Sequence, residues 1–184
     1  MSVTPALQAF WDQQRRQIID HIRRYGVHLT YVSDELAGRC ACCRYLESVG
    51  ADPGPEPGPD GPAFCYTTGL FGVGHPELLI FARGQTESMV LLNTLTRQII
   101  QGEDLLPGEE VWVGNRRMLV EEVPNPGDIV FDANGFYERP PEVSVPVLQL
   151  TWADDDGLFP WEEGHEPGDW EQPRPGMFSA RAAS

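Results

Sequence analysis

Leu7, Trp11, Ile18, Ile22 and Tyr25 recur at helical spacing, with Phe10 and Ile19 beside them. Asp12, Arg15, Arg16, Asp20, Arg23 and Arg24 fill the opposite face. The pattern predicts an amphipathic helix over 5–25, with Pro5 in its first turn and Gly26 as its C-terminal cap. Val27, Leu29 and Tyr31 then alternate with polar neighbours, which predicts a strand. Further strands are expected over 64–71 (FCYTTGLF) and 77–82 (ELLIFA), joined as a hairpin through Gly72-Val73-Gly74-His75-Pro76. Residues 86–101 carry Met89, Leu92, Leu95, Thr96 and Ile99 on one helical face, and Gly102 ends that helix. Residues 111–113 and 118–123 flank a Gly114-Asn115 turn, a second hairpin. Pro124-Asn125-Pro126-Gly127 breaks the chain before a last strand over 145–152, and Pro146 suggests that this strand begins at a sheet edge.

The order helix, strand, hairpin, helix, hairpin, strand is not a βαβ alternation. It predicts an α+β fold in which a mostly antiparallel sheet carries two packed helices. A helix and one strand cannot build a core of their own, so residues 5–163 are expected to form a single compact domain. Within it, the Cys-rich and Pro/Gly-rich stretch at 37–62 reads by composition as an extended or disordered surface loop. Residues 164–184 are rich in Pro, Gly and Glu, and are expected to form an irregular C-terminal tail.

Charge narrows the partners. The formal net charge is −15, and all thirteen basic residues are Arg. From Glu103 to Glu171 eighteen acids face three Arg, whereas residues 1–50 are nearly balanced. Phosphate-rich partners select clusters of Lys and Arg, so neither nucleic acid nor an anionic membrane is expected; a protein partner is, with the chain a monomer or a homodimer. No apolar run reaches eighteen residues, and the N-terminus has no apolar signal core, so the expected location is the cytoplasm. In that compartment four Cys are expected to be thiols or ligands rather than disulfides.

Three groups of residues carry candidate chemistry. Cys40 and Cys43 form C-x-x-C with Cys42 between them, a spacing that suits a shared zinc ion or a redox pair; Cys65 is a candidate third ligand, and His21 or His28 a fourth. Incidental loop cysteines are the competing reading. His75 and Glu77 lie at the hairpin turn, where a His and a carboxylate suit either acid–base work or the structural task of tying the turn. Trp152, Asp154 and Trp161 surround the turn after the last strand and, with His75 and Glu77, are the candidate ligand- or partner-binding residues. Asp154-Asp155-Asp156-Gly157 lacks the ligand spacing of a calcium loop, and the aromatics are expected to pack under the turn rather than stack on a ligand. Gly69, Gly72 and Gly74 precede a strand rather than a helix, so no phosphate loop is predicted.

FCYTTGLFGVGHPELLIFA at 64–82, the helix and LLPGE that follow it, and VPVLQLTWADDDGLFPW at 145–161 together resemble the bacterial family called domain of unknown function 4262. The resemblance implies a compact α+β domain with no established activity, and it carries over no catalytic residue. The sequence departs from the family's pattern in the stretch at 37–62, which family members cross with a shorter loop. With no catalytic constellation, the leading expectation is a non-enzymatic interaction or regulatory module. A zinc-binding or thiol-redox protein using Cys40 to Cys43 comes second, and a hydrolase-like enzyme third.

Overall fold

The computed structural model of the chain describes residues 4–33, 61–166 and 171–180. Cys40, Cys42 and Cys43, and the predicted loop up to residue 60, lie outside the described residues. Helix α1 runs Pro5–Tyr25, and the Thr4 hydroxyl caps it by accepting the Leu7 N–H at 3.3 Å. It ends at Gly26 (φ 90°), whose N–H donates to the Ile22 carbonyl at 2.8 Å. The left-handed backbone at Gly26 favours glycine; a Cβ there would also meet the tip of the exposed Ile100 side chain, which could move aside.

Six strands, β1 His28–Val32, β2 Phe64–Thr68, β3 Glu77–Phe81, β4 Glu110–Val113, β5 Arg116–Glu122 and β6 Val147–Trp152, form one sheet in the order β1-β2-β3-β6-β5-β4. The two predicted hairpins are present: β2 pairs β3 with Phe64 opposite Phe81, and β4 pairs β5 with Val113 opposite Arg116. All pairings are antiparallel except β3 with β6, where Glu77 aligns with Val147 and Leu79 with Gln149. The result is an α+β domain with a mostly antiparallel sheet.

Three expectations needed correction. Strand β6 is central, not at an edge: Pro146 lies one residue before it, where its missing N–H is not needed and its carbonyl accepts the Glu77 N–H at 2.9 Å. Strand β2 stops at Thr68, because Gly69 (φ 144°) turns the chain into a 3-10 turn at Phe71–Val73. A short helix, α3 (Phe131–Phe136, FDANGF), joins α1 and α2 (Gln85–Ile100). Its Asn and Gly disfavour helix, and tertiary contacts hold it: Asn134 is buried and its Oδ1 accepts the Val145 N–H at 2.9 Å.

Every residue of β2, β3 and β6 is buried, since both faces of the sheet are covered. On one face Leu91, Leu92, Leu95 and Ile99 of α2 pack on Cys65, Leu78, Ile80, Met118, Val120, Leu148 and Leu150. On the other, Phe64, Tyr66, Leu79, Phe81 and Val147 meet Ile129, Val130 and Ala133, with Phe178 against them. Helix α1 buries no residue completely; the Arg15 guanidinium ties it to α3 through the Phe136 carbonyl at 2.8 Å. Among the described residues no helix is long and apolar enough to cross a membrane.

Candidate functional site

The start of β3 brings together the two residues that the sequence marks at the hairpin turn. Glu77 is fully buried. Its carboxylate accepts the Thr67 hydroxyl at 2.6 Å and the N–H groups of Gly69 (2.8 Å), Leu70 (3.2 Å) and Phe71 (3.1 Å). Successive N–H groups around a tight turn make an anion-binding concavity, and the Glu77 side chain fills this one from within the fold. Burial pushes the carboxyl pKa up, against the pull of these four donors. Gly69 is required here, because a Cβ would meet the Gly26 carbonyl at 2.9 Å.

His75 points the other way and shares no hydrogen bond with Glu77. Its Nδ1 lies 2.7 Å from the Pro76 carbonyl, and its Nε2 faces the Leu105 N–H at 3.2 Å. A carbonyl takes a donor and an N–H takes an acceptor, so the partners define one neutral tautomer, protonated on Nδ1. The ring is buried and fastens the chain at Leu105 to the start of β3.

That fastening forms one wall of a cleft of about 530 Å³ at the ends of β3, β5 and β6. Five prolines line it: Pro76, Pro107, Pro124, Pro126 and Pro146. Leu105, Leu106, Val123 and Leu148 add apolar surface, Asp104 and Glu122 add carboxylates, and no Arg lines it. Proline has no N–H, so these walls present mainly apolar rings; the Pro76, Pro126 and Pro146 carbonyls are already taken by His75, by Ile129 and Val130, and by Glu77. A shallower recess of about 350 Å³ adjoins it, sharing Pro107 and Glu122. The sequence reading missed this cleft. Its available signal was the recurrence of proline at the strand ends, which reads in one dimension only as chain breaks.

The other marked residues lie elsewhere. Cys65 is fully buried on β2 against α2, and burial pushes its thiol up to about 12. Among the described residues no three His, Cys, Asp or Glu side chains are placed to hold a metal ion. Trp152 is buried; its Nε1–H donates to the Phe81 carbonyl at 2.9 Å and the Arg83 guanidinium lies 3.5 Å from its ring centre. Asp154 organises the turn, accepting the N–H groups of Leu158 (2.8 Å), Glu166 (3.0 Å) and Asp156 (3.1 Å). These bonds, the Leu158 one first, hold its carboxyl below the usual range. Trp161 corrects an expectation: it does not pack under the turn but is exposed, stacked on buried Phe159 at 4.8 Å with the Arg174 guanidinium over its outer face. Phe159 is buried instead, with the Arg117 guanidinium 4.5 Å from its ring centre.

An α+β domain with a six-stranded sheet, a buried carboxylate tying its central hairpin and an acidic, proline-lined cleft at the strand ends is the class of molecule these features define. The chain belongs to the family described as domain of unknown function (DUF4262), whose model matches residues 21–166. Neither the curated proteins nor the solved structures searched gave a match.

Proposed function

We propose that the chain is a non-enzymatic interaction module whose proline-lined cleft receives a basic, extended segment of a partner protein. The observation that carries this reading is the chemistry of the cleft wall: apolar proline rings and the carboxylates of Asp104 and Glu122, with no lining Arg, in a chain of net charge −15. Such a surface favours a ligand that brings donors and positive charge. Acid–base catalysis is the weaker reading, because both nitrogens of His75 and both oxygens of Glu77 are already held by the fold. Short Arg-rich and Glu-rich peptides, titrated while backbone amide resonances are followed, separate the alternatives. The expected result is saturable binding of the basic peptide, with shifts centred on Leu105 and Val123. The double variant Asp104→Asn/Glu122→Gln is expected to weaken binding about fivefold. Equal binding of the acidic peptide, or shifts scattered over the surface, refutes the reading.

A further inference from the structure

The tail residues 171–180 lie beyond the residues 21–166 matched to the family, yet they are laid across the sheet face opposite α2. They form no strand, and most of their hold on the domain comes from a few side chains. The Gln172 amide reads the Trp152 backbone in both directions, its Oε1 accepting the N–H at 3.0 Å and its Nε2 donating to the carbonyl at 2.5 Å. Gln149 Nε2 donates to the Pro173 carbonyl at 2.6 Å, and the Arg174 guanidinium pairs with Glu121. Six residues after Gln172, the Phe178 ring meets Phe64 and Phe81 edge-on at 5.4 and 5.0 Å, while Asn125 Nδ2 donates to the Phe178 carbonyl at 2.8 Å.

The match extends to polarity. Under Gln172 and Arg174 the face is polar, with Thr151, Gln149 and Glu121 in one hydrogen-bonded chain. Under Phe178 it is aromatic. Between these anchors the tail is loosely held: Gln172 is the one buried residue among 171–180, and Met177 is 79% exposed. A turn at Pro175–Gly176, closed by the Met177 N–H on the Arg174 carbonyl at 3.0 Å, sets the two anchors apart; a segment held by side-chain anchors on complementary surfaces is how domains bind peptides, and one with so little buried surface opens without unfolding the rest.

We propose that this face is a peptide-docking surface, that residues 171–180 are its resident ligand in cis, and that it accepts in trans a partner segment of the same chemistry, with a turn between its anchors. That chemistry is a glutamine amide, an arginine two residues on, and an aromatic ring four residues beyond the arginine. The surface borders the proline-lined cleft, with Gly176 against Pro124 and with Arg174 and Pro175 lining the adjoining recess, but the inference does not depend on what the cleft binds. Tethering gives the resident tail a high effective concentration, so a free ligand binds well only when the tail is loosened.

The test uses the full chain and, as probe, a fluorescent synthetic peptide of residues 171–180, followed by anisotropy. The double variant Gln172→Ala/Phe178→Ala is expected to bind this peptide at least about tenfold more tightly than the parent chain. A peptide of the same composition in scrambled order is expected not to bind. A double variant that keeps a cooperative melt but binds the peptide no better than the parent overturns the proposal, as does equal binding of the scrambled peptide. Should the double variant fail to fold, hydrogen exchange on the parent chain decides. The Trp152 and Ala180 amides, which donate to Gln172 and to the Asp128 carbonyl, are then expected to exchange at least about tenfold faster than the β5–β6 ladder. Exchange of those amides at the ladder's rate overturns the proposal.

Discussion

The two faces of the sheet are covered by different means. Helix α2 covers one with a single periodic stripe, Leu91, Leu92, Leu95 and Ile99, so one regular element seals the core. The other face has no such lid. Short α3, the chain at 123–130 and the tail at 171–180 share the work, and part of what they cover is polar: Glu121, Gln149 and Thr151. A continuous helix buries its stripe cooperatively, whereas a patchwork cover leaves seams, and the shallower recess and the tail's loosely held stretch lie along them, while the proline-lined cleft opens at the strand ends between Leu105 and Leu148 of the α2 side and Val123 and Val147 of the other. Stability is expected to reside on the α2 face, and recognition on the other face and at the strand ends.

The sharpest challenge to that division is Leu92→Ala. Leu92 is fully buried under α2, and its loss is expected to cost about 2–5 kcal/mol in a urea melt, because the removed methyl groups leave a cavity in a close-packed core. A cost well below this range would mean that the α2 face is not the stable one.

Glu77 sits where the faces join. Replacing it with Ala strands the Thr67 hydroxyl, the buried N–H groups of Gly69 and Leu70 and the half-buried one of Phe71, at an expected cost of about 3 kcal/mol. The pH dependence has a defined sign. Burial raises the folded-state pKa above the ordinary 4.5, so the proton-linked contribution of Glu77 is fully present below that value and is lost as pH rises through the folded pKa. Stability measured against pH is expected to lose this downward slope in Glu77→Gln, and an unchanged slope would place the titration elsewhere.

Phe178→Ala probes the patchwork side. The ring is half-buried, so the expected cost is about 1–2 kcal/mol, less than for Leu92→Ala although a larger side chain is removed. Equal costs at the two positions would erase the distinction between the faces.

The smallest effect belongs to the sheet's edge. His21 and His28 face each other with their Nδ1 atoms 2.7 Å apart, linking α1 to β1. Burial first, then the neighbouring His21, lowers the pKa of His28 from 6.5, while Asp132 pulls it back up. A base with a lowered folded pKa contributes stability that is present above 6.5 and lost as pH falls through that value toward the folded pKa. His28→Asn is expected to flatten the melt-derived slope between pH 7 and 5. The change should stay well under the one-proton ceiling of about 1.4 kcal/mol per pH unit, since the pair is half-exposed.

Much of this molecule was legible in one dimension because the relevant forces are local and periodic. Helix α1 and its glycine cap, α2 with its apolar stripe, and both hairpins follow from spacings of 3.6 and 2 and from Gly-containing turns, which neighbouring residues decide among themselves. Motifs in the same stretches resemble the family to which the chain belongs. What only the tertiary structure decided depends on partners distant in sequence. The parallel pairing of β3 with β6 joins residues some seventy positions apart, and it turns Pro146 from an edge signal into the lead-in to a central strand. His75 meets Leu105, Glu77 closes on the turn at 69–71, and prolines scattered from 76 to 146 converge on one cleft. The tail's composition signals no regular element, yet Gln172 and Phe178 lock onto Trp152 and Phe81. No periodicity encodes such contacts, because a side chain's hydrogen-bond partner is set by where the folded backbone places it, not by its neighbours along the chain.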